Sequence, residues 1–202
     1  MRLLLAACLM FSIFACTGCG GGGSAGATPE ATFDSMKSAA AKKDWAGMIA
    51  CTTVESQDEL IGGMAIMYQL FGAIPGQEEK MKGARDILTK HGVNLEMAKD
   101  ASPVGSTEEA MKALSAGVKD KVSCAGELVA WVESNEDMKK SGGTPSDVLK
   151  KTLSDVKIEG DVATGKLTSK VDGKELTEEQ RFKKVGGKWY ADMTRKSRGA
   201  GM

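Results

Sequence analysis

The sequence predicts one α+β domain, with helices first and an antiparallel β-meander closing the chain. Three observations carry that expectation. Apolar residues recur at helical spacing from about residue 29 to about 150, the period drops to two from Leu153 onward, and the turn dipeptides Asp172-Gly173 and Gly186-Gly187 punctuate this last stretch. The organisation expected is an export leader over 1–18, a Gly/Ser-rich linker over 19–28, a single domain over 29–195 and a disordered tail over 196–202. Aromatics make up 5% of the 202 residues, so the core has to come from Leu, Val, Ile, Ala and 12 methionines. That richness reads as soft, gap-filling packing ahead of a methionine-based ligand site.

The helices follow from their caps. Thr28-Pro29-Glu30 supplies a hydroxyl N-cap, a proline at the first helical position and an acid in the first turn. Phe33, Met36 and Ala40 then share a face, and Lys42-Lys43 ends the helix. Asp44 caps a short helix bearing Trp45, Met48 and Ile49. Ser56 with Glu59 reads as a capping box opening a helix with Leu60, Met64, Met67 and Phe71 on one side. Gly62-Gly63 inside it weakens it by ~1 kcal/mol per residue against Ala, so packing has to hold it. A helix over 77–90 stops at His91-Gly92. Ser106 with Glu109 repeats the capping box, with Met111, Leu114 and Val118 as its apolar face; Val122, Ala125, Val129 and Val132 continue at helical spacing beside Leu128 and Trp131, and Thr144-Pro145 begins a last short helix.

The two turns fix registers that can be checked against each other. The first pairs Val171 with Lys174, Leu167 with Glu178 and Ala163 with Phe182; the second pairs Val185 with Lys188, Phe182 with Ala191 and Gln180 with Met193. One face then collects Ala163, Leu167, Leu176, Phe182, Trp189, Ala191 and Met193, and the other Thr164, Thr168, Thr177, Glu179, Arg181, Lys183, Tyr190 and Asp192. A one-residue slip would turn the apolar set outward, so the alternation specifies the register. Residues 153 to 159 add a preceding strand, and the upstream helices have to cover the apolar face.

The run from a helix through "KKDW" (Ala41 to Trp45), then Glu159-Gly160-Asp161-Val162-Ala163 and the closing Gly187-Lys188-Trp189-Tyr190, resembles NTF2-like (SnoaL-like, cystatin-like α+β) domains of bacterial lipoproteins. The match covers about a third of the chain, and the middle, about residues 56 to 143, is longer and more helical than a minimal member. The resemblance implies a curved sheet, a cone, wrapped on helices; it implies no single activity.

The amino end gives an address. Arg2 is a positive start, and Leu3 to Ala15 is an apolar run too short to span a bilayer, which takes ~20 residues. The segment Phe14-Ala15-Cys16-Thr17-Gly18-Cys19, with small residues before a cysteine, resembles the lipobox of bacterial lipoproteins, in which the thiol is acylated and becomes the new N-terminus. Cys8 leaves almost no apolar run ahead of it, Cys16 has Phe14 where a small residue is usual, and Cys19 has small residues in place followed by a flexible Gly/Ser run. Cys19 is therefore the expected lipid site, with Cys16 the alternative. Gly20 in place of an aspartate points to the outer membrane, so the expected location is the cell envelope, periplasm-facing or extracellular.

Charge narrows the partners. The chain has 27 basic and 27 acidic residues, and removing the leader takes Arg2 and no acid. Without a basic surplus there is no electrostatic handle for nucleic acid or for anionic lipid, so membrane attachment has to come from the covalent lipid. Cys51 and Cys124 remain in an oxidising compartment, where they form either a disulfide or two buried thiols.

No catalytic or metal signature stands out, and no cofactor is expected. His91 is the only histidine and sits at a helix stop, where capping is its expected role. Gly20 to Gly23 lacks the strand and the Gly-Lys-Ser/Thr ending of a phosphate loop. Glu55, Asp58 and Glu59 read as helix-start acids. Of Asp34, Asp44, Glu178 and Asp192, only Glu178 falls on the apolar sheet face. A pocket there would be lined by Leu167, Phe182, Trp189 and Met193 with Glu178 and Gln180 as its polar groups, much as acid/base pairs sit in some enzymes of the resembled fold.

The expectation is a non-enzymatic envelope lipoprotein that binds a small apolar ligand or another envelope protein. The alternatives are an isomerase- or hydrolase-type enzyme using Glu178, and a purely structural module; oligomeric state stays open. Growth with an alkyne-tagged palmitate should label the full chain. Cys19→Ser should abolish the label and Cys16→Ser should leave it; label persisting in Cys19→Ser would move the anchor elsewhere.

Overall fold

The computed structural model describes residues 24–72, 74–98, 108–142, 144–171 and 173–194. Its order is helices then sheet: α1 Pro29–Ala41, α2 Trp45–Ile49, α3 Val54–Gly72, α4 Glu78–Lys90, α5 Leu95–Ala98, α6 Glu108–Ser115, α7 Lys121–Ser134, α8 Glu136–Gly142, a 3₁₀ turn Pro145–Lys150, then β1 Thr152–Glu159, β2 Val162–Val171, β3 Lys174–Val185 and β4 Lys188–Asp192. The architecture is α+β, with a four-stranded antiparallel sheet in the order β1-β2-β3-β4. No helix of the described residues is long and apolar enough to cross a membrane.

Most boundaries follow from local chemistry. Thr28 Oγ1 accepts from Ala31 N at 3.1 Å, Asp44 Oδ1 from Gly47 N at 2.8 Å and Asp120 Oδ1 from Ser123 N at 2.9 Å, so each cap satisfies a donor that α1, α2 or α7 leaves open. α3 begins at Val54, two residues before the expected capping box. Thr53 is its cap, accepting from Ser56 N at 3.2 Å, while the Ser56 hydroxyl meets Thr53 Oγ1 at 2.7 Å. The competing cap wins because Thr53 is already fixed to the sheet. Gly92 takes φ 78° and lets Val93 N reach back to Leu88 O, ending α4 as expected. Ser106 lies outside the described residues. α5 and α8 were not legible as helices, being too short to print a period.

Both hairpins adopt the expected registers: Val171 opposite Lys174, Leu167 opposite Glu178, Ala163 opposite Phe182, Phe182 opposite Ala191 and Val185 opposite Lys188. Gly186 and Gly187 take φ 57° and 83°, the left-handed pair that a two-residue turn between twisted strands requires. The ladder ends at Asp192, so Gln180 has no strand partner in Met193; its amide donates to Asp192 O at 3.1 Å instead. In β1 the register shifts between Ser154 and Lys157, with Asp155 at φ 52°. This bulge brings Leu153 and Val156 over Gly165, where a Cβ would lie 2.7 Å from Leu153 Cδ1.

Five positions of the apolar face are buried, namely Ala163, Leu167, Phe182, Trp189 and Ala191, and α1 brings Phe33, Met36 and Ala40 to the same core. Leu176 and Met193 depart from the expectation. They are 54% and 36% exposed: Leu176 stands near the β2–β3 turn, and Met193 lies beyond Asp192, the last residue of the ladder. Asp192, expected on the solvent face, is buried: its Oδ1 accepts from Thr194 N and Oγ1, and Lys183 Nζ stands 3.2 Å from Oδ2.

The free edge of β4 is where the helices join the sheet. Trp189 N donates to Gly26 O at 2.9 Å, Ala191 N to Cys51 O at 2.9 Å and Thr53 N to Ala191 O at 3.0 Å. The fully buried Thr32 hydroxyl on α1 accepts from Gly26 N and donates to Trp189 O at 2.8 Å. Met193 N donates to Ser56 Oγ at 2.8 Å. Ala25 and Gly26, expected in the linker, therefore belong to the fold; Gly26 is needed because a Cβ there would sit 2.6 Å from Thr32 N.

Helix crossings also use bare backbone. A Cβ on Gly62 would lie 2.7 Å from Met111 Cα on α6, and one on Gly126 2.8 Å from Ala46 Cα on α2. Gly63, beside Gly62, faces open space. Gly62→Ala should destabilise by about 1–3 kcal/mol through overpacking, and Gly63→Ala should stabilise by about 0.5–1 kcal/mol through helix propensity. Urea unfolding of both variants checks this; equal effects of one sign would contradict the packing.

Candidate functional site

The six residues expected around a sheet-face pocket do not enclose an opening. Leu167, Phe182 and Trp189 are packed into the core. Glu178 is exposed and its carboxylate pairs with Lys151. Gln180 is held by the strand ends, donating to Arg181 O at 2.7 Å and Asp192 O at 3.1 Å, and Met193 lies at the surface. The physical reason is that α1 closes the apolar face, and the Glu178 carboxylate turns to Lys151 at the surface.

A groove of about 890 Å³ opens instead in the helical half. Its walls are Leu60, Met64, Met67 and Phe71 of α3, Met81 of α4, Leu128, Val129 and Val132 of α7, with Met138 of α8 and Pro145 closing one side. That volume lies toward the upper end of the ~300–1,000 Å³ range of small-molecule pockets. The floor is buried at Met64, Met81, Leu128 and Val129, while Phe71 is 44% exposed at the opening. The stripe from Leu60 to Phe71 is the apolar side that helical spacing expects of α3. Ile61, Ala65 and Ile66 are buried beside it and Met64 is buried within it, so α3 is apolar over more of its circumference than one stripe, and the side from Leu60 to Phe71 lines the groove. Four of the 12 methionines line it. That excess of apolar residues over what one buried face needs was the available sequence signal, and Leu128, Val129 and Val132 of α7 followed from their helical spacing; the contributions of α4 and α8 had no such signal.

The polar lining is Gln77 and Lys80 at the start of α4, Asn135 and Asp137 where α7 passes into α8, and Thr144. Lys80 Nζ stands 3.3 Å from Asp137 Oδ2. The wall behind Thr144-Pro145 is tied down by Thr144 N donating to Asp147 at 2.7 Å and by Ser146, whose N–H and hydroxyl both donate to Glu133. Lys150 and the Thr144 backbone hold the Asp147 carboxyl below the usual carboxylate range.

Two buried polar groups correct the sequence reading. Asp58 is not a solvated helix-start acid: it is buried, accepts from the fully buried Ser115 hydroxyl and pairs with Lys121 Nζ at 2.6 Å, joining α3, α6 and α7. His91 caps α4 through its backbone, but its ring is 12% exposed and Nε2 faces Glu127 Oε1 at 3.2 Å. Lys90 also reaches Glu127, at 2.8 Å, and with His91 holds that carboxyl below its ordinary value. Asp44 is a cap and Asp34 is exposed, so the four carboxylates considered together are dispersed. Among the described residues there is no cluster of three or more His, Cys, Asp or Glu able to hold a metal. Cys16 and Cys19 lie outside the described residues.

Cys51 and Cys124 are free thiols and fully buried. Burial, with Asp44 adding to it, pushes the Cys51 thiol up to about 11; burial, reinforced by Glu127 and Asp120, pushes Cys124 up to about 12. Neither is a ready nucleophile, since the thiolate is the reactive form. Iodoacetamide at pH 8 should leave both unmodified in the native protein and modify both in urea without reductant. Protection that survives urea and yields to reductant would show a disulfide.

No protein-family model, no curated protein and no solved structure matches this chain.

Proposed function

We propose that this protein is an envelope lipoprotein, held to a membrane by acyl chains on Cys19, whose domain binds a small apolar ligand in the α3/α4/α7/α8 groove without transforming it. The observation that carries the reading is the groove itself: a wide, methionine-lined channel whose floor is buried and whose upper wall stays open to solvent. Elsewhere the helices approach to backbone contact over Gly62 and Gly126, so an unfilled apolar channel is a departure from the rest of the packing. Methionine walls adapt to ligands of variable shape. Lipid anchoring on Cys19 rests on the lipobox-like leader, and the short linker before Ala25 would keep the domain close to the bilayer.

An NTF2-like architecture is part of the same proposal. The order of elements and the docking of α1 on the apolar sheet face support it. The helical insertion would then carry the binding site that the sheet face holds in smaller relatives of that fold. Glu178, the carboxylate on which the enzyme alternative rests, pairs with Lys151 at the surface and is not among the groove's lining residues.

The test is extraction of the protein purified from membranes, followed by mass spectrometry of what it carries. Wild type should retain an apolar compound near one per chain. Met67→Asp, which places a charge on the half-exposed groove wall, should lower occupancy at least about tenfold with the fold intact by circular dichroism. Wild type that carries nothing and takes nothing up, or full occupancy in Met67→Asp, would overturn the reading.

A further inference from the structure

The groove sorts its polar and apolar groups by position, and the sorting names a ligand class. The apolar stripe of α3 from Leu60 to Phe71 runs about 16 Å, the length of a fatty acyl chain rather than of a compact ring system. Lys80 at the start of α4 meets Asp137, and Asp137 N donates to Asn135 Oδ1, so these three polar lining groups stand together where α7 passes into α8. Their chemistry is weighted to donors. Asn135 Oδ1 is already engaged by Asp137 N at 3.1 Å and Met138 N at 3.2 Å, so what its side chain has left to offer is an N–H₂. Lys80 has three N–H donors and commits one to Asp137. Gln77 and Thr144 can each donate as well.

Asp137 is the one carboxylate of the described lining, and it stands against Lys80. Both members of that pair are more than half exposed, so the pair is weak and Lys80 can take a second oxygen at small cost. Lys80 and Asp137 balance each other, so the head-group end offers N–H donors without a surplus of positive charge and suits a head group with no more than one negative charge. A phosphate monoester, carrying nearly two, would need a second cation that the described lining does not supply.

We infer that the groove takes a long-chain fatty acid, its carboxylate on Lys80 and the Asn135 amide, its chain along Met67, Met64 and Leu128. This rests on the binding proposed above and adds the identity of the ligand. No covalent step is involved.

The experiment uses the full chain in phosphatidylcholine vesicles with a diazirine-bearing palmitate, mapping photo-adducts by peptide mass spectrometry. Competition with laurate, myristate and the corresponding alcohols at equal mole fraction reads the head group. Adducts should fall on Met64, Met67 and Met81. The carboxylate should compete about tenfold better than the alcohol of equal length, which is the size of a hydrogen bond to a charged group. Lengthening the competitor should strengthen competition, by up to roughly fourfold per methylene before allowing for its pull toward the bilayer. Lys80→Met should remove the preference for carboxylate over alcohol, while Met67→Asp should remove binding of both. Equal competition by acid and alcohol, or a preference that survives Lys80→Met, would overturn the fatty-acid inference and leave the binding groove standing. Adducts absent from the groove for every probe would overturn both.

Discussion

The outer edge of β4 is the constraint on which the rest of this structure depends. A sheet edge exposes a row of backbone donors and acceptors that must be satisfied or covered. Here Trp189 and Ala191 turn those groups away from β3, and each finds a partner in the helical half: Gly26, Thr32, Cys51 and Thr53. The partners come from three separate stretches of chain: the entry segment, α1 and the α2–α3 link. One short strand of five residues therefore fixes where α1 lies, where α3 starts and how the chain enters the domain. The residues doing this are small or hydroxylated, because a larger side chain at Gly26 would collide with the first turn of α1.

The opposite edge is handled differently. β1 carries a bulge at Asp155 and a charged outer row, and Lys166 bridges to Asp155 at 2.9 Å. A kinked, charged edge resists pairing with another chain. The two edges together explain why the sheet's apolar face has no room for a ligand: β4 anchors α1 directly over it, and Phe33 and Met36 fill the space. The open volume lies in the helical half, where α3 meets α6 and α7 meets α2 in close crossings over Gly62 and Gly126.

This division explains what could be read from the chain. Both hairpin registers were legible because a two-residue turn and strict alternation are local properties, and Ala163, Leu167, Phe182, Trp189 and Ala191 follow from them. The caps at Thr28, Asp44 and Asp120 are equally local. Gly26 was not legible as part of the fold, since its bond to Trp189 spans most of the chain and a glycine in a Gly/Ser run carries no period. Asp58 resembled any acid near a helix start until Ser115 and Lys121 arrived from elsewhere. The candidate site failed to emerge for a related reason. Periodicity showed that α3 has apolar residues at Leu60, Met64, Met67 and Phe71, but not that Ile61, Ala65 and Ile66 would be buried alongside Met64.

Native-state hydrogen exchange tests the seam most directly. The amides of Trp189, Ala191 and Thr53 should exchange only through global unfolding, with protection equal to that of the central strand around Phe182. Exchange of those three at the rate of an uncovered edge would show that the helices are not tied to β4, and the architecture described here would not hold.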